Sequence, residues 1–463
     1  MPRQLSARSG RRRGRLLLLH ETGSLMRVAG PIILSQLGAI GMNTMDTLMV
    51  GPLGAEALAA AGLGTALHTV MLMVSTGMLM GMGPLISQAF GAGERPEARK
   101  VLVQGMWLAG FASLPLMALN FLGAPLARAF DQPPAVAGLV GGYMGALAWG
   151  VPGLLLFMAL RQYLEGLGRT KPAMVITFLG LGANFIGNQI FIYGVEGLVP
   201  AMGVVGAGWS TTLVRWTMLA SMVAYVMAQP DLHPLQDAPW RPDRRRLRRI
   251  VVIGAPTGVQ VGLEVGLFSF AAVMMGWFGT VELGTHQVTI NLAATTFMVA
   301  LGTSIAGSIR VGRHVGARNA AAVRRAVIVT YAVAMGFMGL CALLFLAWPE
   351  PLLRLYTKDP AIVALGRELL FMAAVFQLFD GAQVAGVSVL RGAADTRVPM
   401  VLALLAYWVV GAPSAWLLGF RTELGPVGVW AGLSLGLAVA AVLLLYRVRS
   451  VLWGRPVAPV VGG

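Results

Sequence analysis

Long apolar runs dominate this chain and limit the folds open to it. Crossing a hydrocarbon layer of about 30 Å takes roughly 20 apolar residues of helix. A backbone in that layer must satisfy its own polar groups, so each run is predicted to be an α-helix. About twelve runs are long enough, at residues 25–49, 57–88, 101–123, 136–159, 172–194, 203–228, 250–278, 284–309, 326–348, 361–389, 398–419 and 426–446. The sequence therefore predicts an all-α integral membrane protein.

The overall composition supports the same class. A mean hydropathy of +0.73 over 463 residues leaves too little polar surface to cover a soluble domain. The single cysteine, Cys341, excludes a disulfide framework and a cysteine-based metal site. The net charge of +16 does not indicate nucleic acid, because the basic residues mostly lie between apolar runs, where they set membrane topology. We expect no nucleic-acid partner.

The basic residues also predict the orientation in the membrane. Several arginines precede Leu16–Leu19 in the manner of a signal peptide, but that run is too short and polar residues follow it. Residues 1–24 are therefore interpreted as a basic cytoplasmic tail. With twelve spans, most of the 35 Lys and Arg residues fall on the N-terminal side of the membrane. This distribution predicts that both termini are cytoplasmic.

The longest polar interval divides the chain into two halves of six spans each. It covers 229–249 and is interpreted as a cytoplasmic linker. The predicted N-lobe is 25–228, the C-lobe is 250–448, and a second cytoplasmic tail covers 449–463.

Three motifs recur between the halves at nearly constant spacing. They are Gly91-Ala92-Gly93 with Gly316-Ala317-Arg318, Leu164-x-Gly166-x-x-x-Thr170 with Leu390-x-Gly392-x-x-x-Thr396, and Gly203-x-x-Gly206 with Gly425-x-x-Gly428. Chance recurrence of common loop residues is the alternative explanation. An even number of spans gives both halves one orientation, so we predict two pseudo-symmetric six-helix bundles.

Three acidic residues lie deep inside the apolar runs: Asp46, Glu264 and Asp380. A charged residue at the bilayer centre costs at least about 2.5–3.5 kcal/mol, and such residues usually mark ion or substrate pathways. Pairing with a basic side chain is the structural alternative. Arg215 is the one basic residue predicted inside a span. The acids therefore predict a transporter that binds protons, metal ions or charged substrate.

Asp46 is predicted to share its depth with two asparagines. Asn184 and Asn188 are one helical turn apart, so they lie on the same face of the fifth span. A carboxylate and two amides suit a hard cation or a proton held in a hydrogen-bond network. Asparagines that join helices to each other are the alternative.

Glu264 and Asp380 are predicted near the middle of the membrane, with amide side chains one turn away. Gln260 precedes Glu264, and Gln377 and Gln383 flank Asp380. Two carboxylates that approach each other in a low dielectric cannot both remain ionised without a cation. Either a metal ion neutralises them or one of them holds a proton.

Motifs for enzymatic chemistry are absent from the sequence. A Walker A loop needs Gly-Lys, yet none of Lys100, Lys171 and Lys358 follows a glycine. No HExxH or GxSxG motif occurs, and the five histidines do not have the spacing of a zinc site. We predict that the protein is not an enzyme and needs no cofactor beyond a coupling ion.

Taken together, these residues resemble the multidrug and toxic compound extrusion (MATE) family, most closely its bacterial NorM-like branch. The motifs that carry the resemblance are Pro31, Met45-Asp46-Thr47-Leu48-Met49-Val50-Gly51, Gln88–Gly93, Leu164–Pro172, Leu263-Glu264-Val265, His286-Gln287-Val288 with Asn291, Ile309-Arg310-Val311-Gly312, and Phe376–Asp380. The resemblance implies a multidrug exporter of small cationic amphiphilic compounds, driven by inward Na⁺ or H⁺, in the bacterial inner membrane.

The resemblance also implies roles for particular residues. Asp46, Asn184 and Asn188 would form an N-lobe coupling site. Glu264 and Asp380 would form a C-lobe site, which holds Na⁺ if the protein is sodium-coupled. Pro31 would act as a hinge in the first span. The residues expected to line the substrate cavity are Gln36, Gln260, Gln287, Asn291, Phe376 and Gln377.

One position departs from the family pattern. A tyrosine often stands four residues before the acid of the tenth span, and this chain has Phe376 there. The change removes a hydroxyl ligand from the expected Na⁺ site. Membrane lipid is the other expected partner, and we expect a monomer.

Two other functions remain open from the sequence. A lipid-linked oligosaccharide flippase of the same superfamily would also be helical, but should place several basic residues in its cavity. A membrane scaffold without transport would not need intramembrane acids.

Overall fold

The structure is a computed structural model, and it describes residues 2–232, 240–453 and 459, with side chains from residue 16 onward. These residues form seventeen α-helices, labelled α1 to α17 in chain order. They are Pro2–Val50, Ala55–Met80, Met82–Gly91, Arg95–Asn120, Gly123–Ala129, Pro134–Ala148, Val151–Gly166, Lys171–Ile192, Gly203–Ala228, Arg244–Phe278, Thr280–Gly316, Ala320–Ala347, Pro349–Arg354, Pro360–Gly392, Arg397–Leu404, Ala412–Phe420 and Gly425–Leu452. A π-helical segment, Leu405–Gly411, joins α15 to α16.

The number of helices that are long and apolar enough to cross a membrane is close to the number predicted. In the described residues, 11 helical segments qualify, or up to 12 if α6 and α7 form one span. These two helices meet at an angle of 46°. Gly150 and Pro152 lie at the bend, where proline cannot continue the hydrogen bonding of the preceding helix. The predicted all-α membrane fold is confirmed.

Several helices extend beyond the predicted spans. Helix α1 begins at Pro2 and so includes most of the predicted tail 1–24, and α10 begins at Arg244 inside the predicted linker. Arginine is a good helix former, so a basic flank can continue a helix that an apolar core begins. Residues 233–239 of the linker, and all of the C-terminal tail beyond residue 453 except 459, lie outside the described residues. The lobe boundaries stay a prediction.

Two compact units make up the described chain. The N-terminal unit comprises Leu34–Phe90 and Glu94–Val259, and the C-terminal unit comprises the residues up to Ile33, Gly91–Gly93 and those from Gln260 onward. In the N-terminal unit, α9 packs against α6, α7 and α8. In the C-terminal unit, α14 packs against α11, α12 and α17.

Equivalent glycines allow close helix packing in both units. A Cβ added to Gly206 in α9 would lie 2.1 Å from the carbonyl oxygen of Phe191 in α8. A Cβ added to Gly428 in α17 would lie 2.2 Å from the carbonyl oxygen of Leu418 in α16. Small residues at these contacts let helix backbones approach, which is how membrane helices gain van der Waals packing. The recurring motif of the sequence is thus a packing contact.

The same turn ends α7 and α14. The N–H of Arg169 donates to the carbonyl of Leu164 at 2.8 Å, and the N–H of Asp395 donates to that of Leu390 at 3.0 Å. These bonds need a left-handed residue just before each donor, as in a Schellman turn. That residue is Gly168, with φ of 74°, in the first half, but Ala394, with φ of 62°, in the second.

We expect the two halves to respond in opposite ways to exchange at this position. Gly168→Ala should lower the free energy of unfolding by about 1 kcal/mol, because a left-handed conformation is unfavourable for a residue with a Cβ. Ala394→Gly should raise it by less, because glycine also gains freedom in the unfolded chain. The measurement is the melting temperature of detergent-purified protein, followed by tryptophan fluorescence.

The matched control is Ala393→Gly, because Ala393 has a φ of −81° and no left-handed strain to relieve. It should lower the melting temperature. A decrease of similar size for Ala394→Gly would contradict the expectation.

Candidate ion and substrate sites

The carboxylate of Asp46 lies among hydrogen-bond donors in the N-terminal unit. Its Oδ1 accepts from the Nδ2 atoms of Asn184 at 3.0 Å and Asn188 at 2.7 Å. Its Oδ2 accepts from the Thr211 hydroxyl at 3.3 Å. Both asparagines are fully buried and Asp46 is half-buried. The donors replace the water that a carboxylate would otherwise bind.

Three helices bring these residues together. Asp46 lies near the end of α1, the asparagines share one face of α8, and Thr211 lies on α9. Helices α8 and α9 approach closely because Gly187 faces Ser210, where an added Cβ would lie 2.5 Å from the serine Oγ. Sequence reasoning missed Thr211. Its signal was the polar triplet beginning at Ser210 inside an apolar span.

The amides are oriented as donors, which differs from the predicted set of oxygen ligands. One amide oxygen remains available: Asn188 Oδ1 is buried and has no hydrogen-bond partner among the described residues. An unpaired buried acceptor is costly, so a donor or a cation at this oxygen would be stabilising. The Asp46 carboxylate and the unpaired Asn188 oxygen are therefore candidate partners for a proton or a small cation.

Three further polar side chains form a network that extends from Asp46. Arg215 lies close enough to Asp46 to interact with it electrostatically. Its Nη2 lies 3.1 Å from His68 Nε2, and His68 Nδ1 lies 2.6 Å from Asn120 Oδ1. His68 and Asn120 are buried. Sequence reasoning identified Arg215 but missed the histidine, because the partners come from three different helices.

The second cluster lies in the C-terminal unit and is incompletely paired. Asp380 is 4% exposed, and its Oδ1 has no hydrogen-bond partner among the described residues. Gln377 is fully buried with both side-chain polar atoms unpaired, and Gln383 has an unpaired Oε1. Buried polar atoms are normally satisfied, so such a group needs a ligand, an ion or water.

Glu264 and Asp380 lie close enough to interact electrostatically. Glu264 is half-buried on α10, and buried Gln260 precedes it by one turn. Arg391 also interacts with Glu264. Arg391 lies on α14, which continues to Gly392 and so extends beyond the predicted span that ends at residue 389.

Tyr407 is a further residue of this cluster that sequence reasoning missed. It is fully buried, its hydroxyl is unpaired among the described residues, and it interacts electrostatically with both Glu264 and Asp380. It lies in the π-helical segment, a conformation that often occurs at functional sites. Phe376 offers only a ring here, 5.6 Å from that of Trp430.

Comparison with known proteins decides the family. The family model described as MatE matches residues 31–190 and 256–417. The chain belongs to the MatE family. The two matched blocks begin at Pro31 and Pro256, which hold equivalent places in the two halves.

Known MatE relatives cover nearly the whole chain. The probable multidrug resistance protein NorM of Bradyrhizobium diazoefficiens is 38% identical over 439 residues, which is 93% of this chain and 94% of that protein. The multidrug resistance protein MdtK of Yersinia pseudotuberculosis is 35% identical over 437 residues, covering 93% and 95%. The predicted resemblance is confirmed, and this MatE protein is a multi-pass membrane transporter, not an enzyme.

The fold agrees with that of solved MatE structures. The Vibrio cholerae MATE transporter VcmN in its bent form has a TM-score of 0.86 at 19% identity, covering 95% of this chain and 98% of that chain.

The other residues predicted to line the substrate cavity or to act as a hinge lie outside the two buried clusters. Gln36 is engaged by Arg161, whose Nη2 donates to its Oε1 at 3.0 Å. Gln287 and Asn291 lie on an exposed face of α11, where the asparagine donates to the backbone of Gln287 at 2.8 Å. Pro31 lies inside α1. These four positions do not belong to either buried cluster.

The contact between Asp46 and Asn188 should be measurable as a coupling energy. In a double-mutant cycle with Asp46→Ala and Asn188→Ala, we expect a coupling of about 0.5–3 kcal/mol, because the two side chains bond directly. The readout is unfolding in detergent. The control replaces Asn43, which is exposed on α1, and should show no coupling to Asn188. Equal couplings for both residues would contradict the geometry.

Proposed function

We propose that this protein exports cationic amphiphilic drugs from bacteria in exchange for inward Na⁺ or H⁺. The observation that carries the proposal is the second cluster, in which buried Asp380 has an unpaired carboxylate oxygen and interacts electrostatically with Glu264. Two carboxylates so placed need a cation or a proton. The multidrug resistance proteins named above support drugs as the cargo.

Competition at the acids would couple the two movements. A ligand shifts a conformational equilibrium only by its differential affinity for the two states. An entering cation that neutralises Glu264 and Asp380 removes the negative charge that holds a cationic drug. Coupling is reciprocal, so bound drug weakens the binding of the ion by the same factor.

The C-terminal unit offers a set of oxygen ligands for Na⁺. The candidates are the two carboxylates, Gln377 and the hydroxyl of Tyr407. Hard cations prefer such oxygens. In the described residues, no group of three His, Cys, Asp or Glu side chains could hold a metal ion, so neutral oxygens would complete the set. Tyr407 would supply the hydroxyl that Phe376 lacks.

The N-terminal unit would provide a second, separate site. Asp46 and Asn188 Oδ1 would bind a proton or cation, and the bonds from Asn184 and Thr211 would hold the carboxylate in place. Pro31 removes one backbone hydrogen bond from the interior of α1, which suits a helix that bends. We propose it as the hinge of the transport cycle.

The proposed export function also implies a membrane location and a set of binding partners for the protein. We propose the bacterial inner membrane, with both termini cytoplasmic as the distribution of basic residues indicates. Small cationic amphiphilic substrates and lipid would be the partners of a monomer. The aromatic rings around Phe376 suit a cationic substrate through cation–π contacts.

Neutralising the acids should abolish export. In energised everted vesicles we expect Asp46→Asn, Glu264→Gln and Asp380→Asn each to reduce ethidium transport at least tenfold, because each removes a charge on which coupling depends. A Na⁺ gradient and a pH gradient are imposed separately, which identifies the coupling ion.

The matched control is Glu368→Gln, which neutralises an exposed acid on α14 that belongs to neither cluster. It should transport at the wild-type rate. If all four variants transport like the wild type while inserting normally, the acids are structural and the flippase or scaffold hypothesis gains support.

Removing the Tyr407 hydroxyl should weaken ion binding more than drug binding. For Tyr407→Phe we expect roughly a tenfold higher half-saturating ion concentration, because one bond to a charged group is worth about 1.5–3 kcal/mol. Phe376→Tyr in the same background should restore part of the loss. The measurement is transport against ion concentration. A Tyr407→Phe curve identical to that of the wild type would exclude the tyrosine from the site.

A further inference from the structure

A groove on the C-terminal unit is separate from both polar clusters. Helices α12, α14 and α17 form it, with a cavity volume of about 730 Å³. That volume is within the usual range for ligand sites, roughly 300–1,000 Å³. Its walls are apolar, and one end carries Arg449 and Trp453. The groove therefore has the polarity of an amphiphile, with a long apolar part and a short charged end.

The length of the groove matches one leaflet of a bilayer. Along α17 the lining runs from Ala441 to Trp453, which is about 18 Å at 1.5 Å per residue. Half of a hydrocarbon core is about 15 Å. Val442 and Leu445 are 65% and 55% exposed on this face, so the groove opens sideways from the helix. A single lipid acyl chain would cover it.

The charged end of the groove is suited to bind an anion rather than a cation. Arg449 is exposed, and it has no ion pair among the described residues. Arg447, two positions earlier, is already engaged, since its Nε donates to Asp395 at 2.8 Å. Arg324 lies nearby, with its Nη2 3.5 Å from the carbonyl oxygen of Trp453. Guanidinium groups bind phosphate strongly, whereas a cationic drug would be repelled at this end.

Trp453 indicates the depth of this end in the membrane. Tryptophan is enriched where the hydrocarbon core meets the headgroups, and basic pockets between transmembrane helices on the cytoplasmic side bind anionic lipid headgroups. The distribution of basic residues predicts that the end of α17 lies on that side. A lipid in the groove would therefore have its phosphate at the level of Arg449.

We propose that this groove binds an anionic phospholipid, with one acyl chain along α17 and its phosphate on Arg449. The site does not depend on the transport reaction. It does share a helix with the second polar cluster, because Leu378 and Ala382 line the groove on the same helix as Asp380. Bound lipid would pack against the helix that carries the acid.

The test measures lipid bound to delipidated, detergent-purified protein by native mass spectrometry. The probes are phosphatidylglycerol, phosphatidylcholine and inorganic phosphate. Wild type should bind phosphatidylglycerol about tenfold more tightly than phosphatidylcholine, because a charge-assisted contact of about 1.4 kcal/mol is a factor of ten. Inorganic phosphate should not displace the lipid at equal concentration, because it lacks the acyl chain.

Four variants separate the two parts of the site. Arg449→Gln should lose the preference for the anionic lipid, and Arg449→Lys should keep most of it. Arg447→Gln is the matched control two positions away and should bind like the wild type. Val442→Trp fills the apolar part and should reduce binding of both lipids without changing the headgroup preference.

Several results would overturn the proposal. They are equal binding of the two lipids by wild type, unchanged binding by Arg449→Gln, or the same loss in Arg447→Gln. Displacement of the lipid by ethidium would mean that the groove holds substrate instead. The melting temperature of each lipid-free variant is measured as well, so that a misfolded protein is not counted as a loss of binding.

Discussion

A polar group inside an apolar helical protein must find a partner, and the two units of this transporter meet that requirement differently. Asp46 receives three hydrogen bonds from side chains on two neighbouring helices. Asp380 interacts electrostatically with Glu264 and has an unpaired oxygen, and Gln377, one helical turn earlier, has no side-chain hydrogen bonds among the described residues. The carboxylate of Asp46 is thus satisfied by side chains of the protein, whereas that of Asp380 has an oxygen with no partner among the described residues. Under the function proposed above, this difference would give the two halves unequal roles despite their common helix order.

The scaffold holds these groups in register through close backbone contacts rather than through large side chains. Gly187 allows α9 to approach α8, so that Thr211 can reach the carboxylate of Asp46. In the other unit, a Cβ on Gly432 would lie 2.2 Å from the backbone nitrogen of Ala415, so α17 also packs directly on α16. Packing at this distance leaves little room for a substitution, which ties the positions of the polar residues to small residues nearby.

Depth and helical periodicity were sufficient to find the acids and the asparagines. The chain order of the spans placed Asp46 near Asn184 and Asn188 without any structure. The same reasoning missed Thr211, His68 and Tyr407, because a contact between helices depends on rotation about each axis, which a hydropathy pattern does not give. Tyr407 was also hidden by the π-helical turn, which changes the face that a residue presents. The 46° bend between α6 and α7 could likewise not be predicted from the periodicity of apolar residues.

The repeated helix-ending turn at Gly168 and Ala394 has a consequence for the history of the chain. Each half has the same backbone conformation there, although only the first half has a glycine at that position. This is the pattern that duplication of a half-length gene would leave, with the turn geometry retained while the residues diverged. Because six spans return a chain to its starting side, two ancestral copies would have inserted with one topology. Fusing them would then have required a linker but no additional span.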